Sequence, residues 1–290
     1  MSFWRRIRKQ PDKPVARHTP MRPHVGARGL MLGNSLHDVS FSLPVGSCTA
    51  LLGANGSGKS TLMATLAGVL PPDAGEVYCV GPAAYLPEGC PLDGWVSVRR
   101  WLSFAEQLPG WEPQVAARLL TAMNLPMSHG ASELSQGQRV RLGLIMTLGR
   151  RAPVYLLDDP FLGLDPMAQV IAERFIAERA ADATVLIANQ DAMASERLCS
   201  HLLFLSAGKV SWCAPMESWR ERFRRIRVYG PLSSLDNLGL SVLHAEARGR
   251  TTEVLLDDPT SSAERQLRAR GVHVEPVPLP LDELLLCMVV

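Results

Sequence analysis

The chain has 290 residues, 47% hydrophobic and 20% charged, with a formal net charge of +2; this excludes wholesale disorder and collagen-like or disulfide-framework architectures. The best candidates for a membrane span, Leu202–Leu205 and Leu284–Val290, fall far short of the roughly 18 apolar residues that crossing requires. Residues 1–24 carry seven Lys/Arg and one acid, leaving 23 Lys/Arg against 27 Asp/Glu in the rest, an acidic body unsuited to generic nucleic-acid binding.

Residues 1–24 read as a flexible basic arm punctuated by Pro11, Pro14, Pro20 and Pro23. The arm lacks an apolar h-region and so is not a secretory signal; a cytoplasmic chain is expected. Ordered structure is predicted to start near Val25. Val39–Leu43 alternates as a strand, Pro44–Gly46 forms a turn, and Cys48–Leu52 is an apolar strand entering a glycine loop. Lys59–Leu70 has helical apolar spacing and is stopped by Pro71 and Pro72.

Residues 95–124 are predicted helical, with a break at Pro109 and Gly110, and Ser135–Leu148 is a further helix. Val154–Leu157, Thr184–Ile187 and Leu202–Leu205 are continuous apolar runs of strand length, as in a parallel sheet covered on both faces. Ala168–Ala181 is helical between the first two. Strands alternating with helices imply an α/β fold. After Trp212 the pattern changes: a short Arg-rich helix over Glu217–Arg227, strands near 227–229, 241–244, 252–256 and 272–275, and a helix over Ser261–Arg270. Residues 213–290 are therefore expected to form a small α+β appendage.

The six cysteines, Cys48, Cys79, Cys90, Cys199, Cys213 and Cys287, show no C-x-x-C pair and are expected to be free, mostly buried thiols. Arg220, Arg222, Arg224, Arg225 and Arg227 are expected to form a solvated helix face.

The chemistry concentrates in Gly53, Ala54, Asn55, Gly56, Ser57, Gly58, Lys59, Ser60 and Thr61. These fit G-x-x-x-x-G-K-[ST] between a buried strand and a helix. Glycines let backbone N–H groups converge on phosphate oxygens, and the helix N-terminus favours an anion. Lys59 is placed to reach the β- and γ-phosphates, and the Ser60 hydroxyl to ligate Mg²⁺. Only four lysines occur in the chain; Lys59 stands where a compact point charge suits.

With this loop in place, the remaining motifs resemble those of the ATP-binding subunits of ABC (ATP-binding cassette) transporters. Leu134, Ser135, Gln136, Gly137 and Gln138 resemble the signature L-S-G-G-Q, with Gln136 for the first glycine; Val154–Asp159 resembles the Walker B strand; Leu162–Asp165 resembles the D-loop. The order and spacing match over about 25–212. Tyr85–Glu88, Leu108–Trp111 and the C-terminal extension resemble the ABC-2-type export branch, in which the ATPase and the membrane permease are separate chains. The resemblance implies a P-loop NTPase nucleotide-binding domain over 25–212, a helical subdomain near 89–134 and an appendage over 213–290. It implies ATP and Mg²⁺ as ligands, with Ser60, Glu88 and Asp158 about the metal. A second ATPase subunit, identical or different, closes head-to-tail, so that Ser135, Gln136, Gly137 and Gln138 cover the partner's ATP and Asp165 lies in the D-loop. An integral membrane permease is the implied partner, nucleic acid is not, and the location is cytoplasmic, on the inner face of the membrane.

Four positions depart from the family pattern. Asp159 stands where the family has a glutamate base; it is shorter by one methylene, and misplacement by about 1 Å can cost on the order of 10²-fold in rate. Gln190 replaces the switch histidine and cannot carry charge or shuttle a proton. Glu88 replaces the Q-loop glutamine, and carboxylate also suits Mg²⁺. The stretch 27–35 lacks the adenine-stacking aromatic and offers Met31 and Leu32. Together they imply slow hydrolysis at Asp159 and Gln190; the competing reading is a nucleotide-gated regulatory or assembly subunit that does not hydrolyse. Gly75–Glu88 is short, implying a trimmed antiparallel edge sheet. Trp95, Trp101 and Trp111 lie in the helical subdomain, either in its core or at a permease groove, and the basic arm is available to anionic headgroups.

Overall fold

The computed structural model describes residues 24–189, 192–229, 241–258, 262–281 and 283. Residues 1–23 of the basic arm, Gln190 and Cys287 lie outside the described residues. The chain divides into two compact units that part between Cys213 and Ala214.

In the first unit, strands β1 (Val25–Leu32), β2 (Leu36–Leu43) and β4 (Ala74–Cys79) form an antiparallel sheet in the order β2-β1-β4. A second sheet of six strands has the order β5-β6-β7-β3-β8-β9. Its members are β3 (Cys48–Leu52), β5 (Ala84–Leu86), β6 (Val154–Asp158), β7 (Thr184–Ala188), β8 (His201–Ser206) and β9 (Lys209–Pro215). Pairing is parallel from β5 through β8. Every residue of β3, β6 and β7 is buried, which explains their unbroken apolar sequences. Helix α1 (Lys59–Leu66) contributes Leu62, Met63 and Leu66 to a core shared with β1, β2, β3, β6, β7 and β8.

Helix α1 ends four residues before the predicted Leu70. Gly68 adopts φ +76° and Val69 N donates to Ala64 O, so a left-handed glycine terminates the helix ahead of the prolines. The helical stretch after β5 resolves into α2 (Val98–Ala105) and α3 (Pro113–Met123). Ser97 caps α2, and Pro113 opens α3. Trp95 is 96% exposed and takes no part in a core, whereas Trp111 lies against the Gly149 backbone, where a β-carbon would meet its ring at 3.0 Å. Helices α4 (Gln136–Leu148), α5 (Pro166–Ala180) and α6 (Ala192–Leu198) complete this unit.

The second unit contains α7 (Met216–Arg222), β10 (Phe223–Tyr229), β11 (Ser241–Arg248), β12 (Thr251–Asp257), α8 (Ser262–Ala269) and β13 (Val274–Val277). Its antiparallel sheet runs β11-β12-β10-β13 around Ile226, Val228, Val254, Leu256, Leu267 and Val274. The predicted helix over 217–227 stops at Arg222. Arg224, Arg225 and Arg227 are strand residues, so the arginines do not share a solvated helix face. Arg222 grips Asp257 through Nε and Nη2 at 2.6 and 2.7 Å, and Arg225 and Arg227 converge on Glu253, itself 4% exposed. A buried carboxylate is tolerable only when paired in this way. Alternation of Ile226 and Val228 with Arg225 and Arg227 is the period of a strand, and tertiary pairing overrides the helix propensity of arginine.

Candidate functional site

The site is built at the ends of the central strands. β3 delivers the chain into the Gly53–Thr61 loop, and α1 begins directly after it. Two glycines make the turn. At Gly53 a β-carbon would lie 2.1 Å from Leu205 O, and at Gly58, with φ +101°, it would lie 2.6 Å from Ser35 O. Only glycine fits either position. Helix α1 begins without a side-chain cap, so its first-turn N–H groups face the loop, as an anion requires.

Lys59 folds back over the loop and its Nζ donates to Gly53 O at 2.9 Å and to Ala54 O at 3.0 Å. Half-burial lowers its pKa, against the pull of Asp158, Asp159 and Glu88. An arriving phosphate oxygen offers the ammonium a charged partner in place of two carbonyls. Ser57 Oγ is buried with no hydrogen-bond partner.

Parallel pairing of β6 against β7 and β5 brings the carboxylates in. Asp158, 3% exposed, closes β6; Ser60 Oγ donates to Glu88 Oε2 at 3.4 Å. Burial pushes the Asp158 carboxyl up to about 6; Glu88 and Asp159 add to the rise, while Ser60 and Lys59 oppose it. Its Oδ2 is buried without a partner. An orphaned carboxylate oxygen beside a hydroxyl and a second carboxylate is a donor set that suits Mg²⁺, with phosphate and water completing the shell. The Tyr85 phenol is also pushed up to about 12, chiefly by burial and then by Asp158 and Glu88.

Asp159 follows at φ +49°, in the left-handed region, with its N–H held by Ala188 O at 2.8 Å. A non-glycine residue there is strained by about 1–2 kcal/mol, and the strain bends the chain out of β6 toward Leu162–Asp165.

Ser135 and Gln138 form a capping box: Gln138 N donates to Ser135 Oγ at 3.3 Å, and Ser135 N donates to Gln138 Oε1 at 2.9 Å. Gln136 is exposed, and Gly137 is buried against Gly163, where a β-carbon would meet Gly163 O at 2.1 Å. Asp165 caps α5 by accepting from Ala168 N at 3.0 Å, and its other oxygen pairs with Arg141. The Ala168 amide and then Arg141 hold its carboxyl below the usual range.

Gly53–Thr61, Glu88, Asp158 and Asp159 are therefore brought to one place. Ser135–Gln138 and Asp165 form a second cluster, bonded within itself. Arg141, which ties that cluster together, carried no sequence signal beyond its position on the signature helix.

The ABC transporter family model matches residues 36–162. The Nod factor export ATP-binding protein I of Burkholderia orbicola (strain AU 1054) is 30% identical over 276 residues, covering 87% of this chain and 90% of its own length. The thiamine import ATP-binding protein ThiQ of Jannaschia sp. (strain CCS1) is 34% identical over 196 residues, 61% of this chain and 85% of that one. A solved ATP binding subunit of an ABC transporter, 26% identical, superposes with a TM-score of 0.62 over 68% of this chain and 92% of its own. A dimeric ATP-binding cassette in a post-hydrolysis state with ADP and Pi, 18% identical, shares the fold at a TM-score of 0.58. The β3–loop–α1 turn and the carboxylates ending β6 thus stand in a chain that aligns along nearly the whole of a curated relative, and it belongs to the ABC transporter family as an ATP-binding subunit, an ATPase coupled to transport.

Proposed function

We propose that this subunit drives an ABC-2-type export system, closing head-to-tail with a second ATPase subunit around two ATPs. Closure acts on an integral membrane permease made as a separate chain, from the cytoplasmic side of the membrane. The observation that carries the reading is the partnerless, buried Asp158 oxygen set beside Ser60 and Glu88 at the mouth of the phosphate loop. Export is favoured because the alignment with the Nod factor export protein extends over 87% of this chain, well past the span shared with the thiamine import protein. Among the described residues no helix is long and apolar enough to cross a membrane. The segment 95–108 exposes Trp95, Phe104 and Leu108, apolar surface that suits a permease contact.

The loop amides and Lys59 bind the phosphates; Ser60, Asp158 and Glu88 would hold Mg²⁺, which would supply neutralisation of phosphate charge. Asp159 orients and polarises the attacking water, and the Gln190 amide donates a hydrogen bond to the γ-phosphate but neither carries charge nor transfers a proton. The partner's Ser135, Gln136, Gly137 and Gln138 cover the nucleotide, and Asp165 shapes the D-loop. The short Asp159 side chain, on strained backbone, makes hydrolysis slow.

ATP turnover by the purified chain tests this. Turnover below about one per second is expected, rising about tenfold in Asp159→Glu; several turnovers per second without a partner would contradict it. The same Asp159 geometry gives a second reading, a nucleotide-gated regulatory subunit. Tight ATP binding and ATP-driven dimerisation with no phosphate release would select that reading. Co-purification with an integral membrane protein checks the permease assignment.

A further inference from the structure

Two cysteines far apart in sequence meet inside the ATPase unit. Cys48 opens β3, the strand that feeds the phosphate loop, and Cys199 follows α6; both are 6% exposed, with their sulfurs 3.6 Å apart. The backbones around them are already tied. Ser200 N donates to Cys48 O at 2.8 Å, the Ser200 hydroxyl donates to the same carbonyl at 3.2 Å, and Thr49 pairs with His201 in the parallel ladder. A disulfide needs the sulfurs, now 3.6 Å apart, to close by about 1.5 Å. Cys90 is buried elsewhere, against Gly143, and among the described residues Cys79 and Cys213 are free cysteines.

We propose that Cys48 and Cys199 are a modification site, a dithiol that a peroxide converts to a disulfide and that thereby slows the ATPase. One sulfur attacks the peroxide O–O bond, giving a sulfenic acid and water. The second sulfur then displaces hydroxide from the sulfenic sulfur, and the two thiol protons leave in two waters per hydrogen peroxide consumed. The Cys48 contact, and then burial, push the Cys199 thiol up and keep it protonated, so the resting pair reacts slowly and reacts faster at higher pH. The link joins β3 to the residue that follows α6. It makes covalent a junction otherwise held by hydrogen bonds, between the phosphate-loop strand and the helix that follows residues 190–191, the position of the γ-phosphate contact in the proposed mechanism.

Full-length protein treated with hydrogen peroxide, then digested without reduction and mapped by mass spectrometry, tests the site. The expected result is a Cys48–Cys199 linked peptide, a melting temperature raised by about 5–10 °C, and ATP turnover reduced by at least about threefold. All three should reverse with dithiothreitol. Cys48→Ala and Cys199→Ala should each abolish the link and the peroxide sensitivity of turnover. Absence of the linked peptide when Cys213 is oxidised in the same sample overturns the site. A link that leaves turnover unchanged, or equal peroxide sensitivity in either alanine variant that retains its fold, overturns its control of the ATPase. Peptide mapping is independent of transport and hydrolysis, so a failed export assignment and a failed dithiol are told apart.

Discussion

Asp158 shows how a single side chain trades stability for function. Its carboxyl is raised from 3.8 to about 6, first by burial. A group with a folded pKa above its unfolded one contributes stability that is full below pH 3.8 and is lost as pH rises through about 6. At neutral pH the ionised, partnerless oxygen therefore costs the nucleotide-free chain on the order of 3 kcal/mol. Asp158→Asn should remove that cost. The expected outcome is a melting temperature several degrees higher at pH 7.5 without ligand, a smaller difference at pH 5, and loss of Mg²⁺-dependent turnover. Thermal scans at both pH values check this, and an equal shift at both would show that ionisation is not the cause. Since metal and proton compete for one oxygen, Mg²⁺-dependent ATP binding should weaken below about pH 6.

At the scale of elements, helix α4 and the loop entering α5 act together. Gly137 packs on the Gly163 carbonyl, and Arg141 bonds Asp165 and donates to Met123 O at 3.1 Å, so one side chain joins α4, the α5 cap and the end of α3. The loop it holds starts at Asp159. Arg141→Ala should lower kcat about tenfold while ATP affinity stays within about twofold, and Arg141→Lys should recover part of the loss. Stability should fall only slightly, because Asp165 is half exposed and such pairs are weak. A rise in KM with unchanged kcat would assign Arg141 to nucleotide binding instead. This coupling was invisible in the sequence, whereas Gly53–Thr61 was legible because every group sits on one contiguous turn. The strands β3, β6, β7 and β8 were legible for a related reason, since burial on both faces writes an unbroken apolar run. The Arg222–Arg227 segment misled because its helical charge pattern is answered by Asp257 and Glu253, some 30 residues away in sequence. Cys48 and Cys199 likewise meet only through the parallel ladder.

For the whole molecule, Ser135 and Gln138 bond each other and Gly137 packs on the Gly163 carbonyl, so the signature cluster is tied to the 162–165 loop of its own chain, and the proposed reading assigns its cover to the phosphate loop of a partner. In the proposed head-to-tail pairing a second copy would supply that cover, and two-fold closure would make two sites, each with Lys59 from one chain and Ser135 from the other. This arrangement predicts complementation between two inactive chains. Lys59→Ala abolishes phosphate binding on its own loop, and Ser135→Arg blocks the cover it gives to a partner. In a mixed dimer, one site carries both defects and the other carries neither. Equal mixing makes half the dimers mixed, so about a quarter of the wild-type sites return if both sites act independently. The measurement is ATP turnover of each variant alone and of the mixture at one total concentration. If each chain completed its own site, mixing would restore nothing. A recovery near one quarter that disappears on dilution places the working ATPase between two copies of this chain.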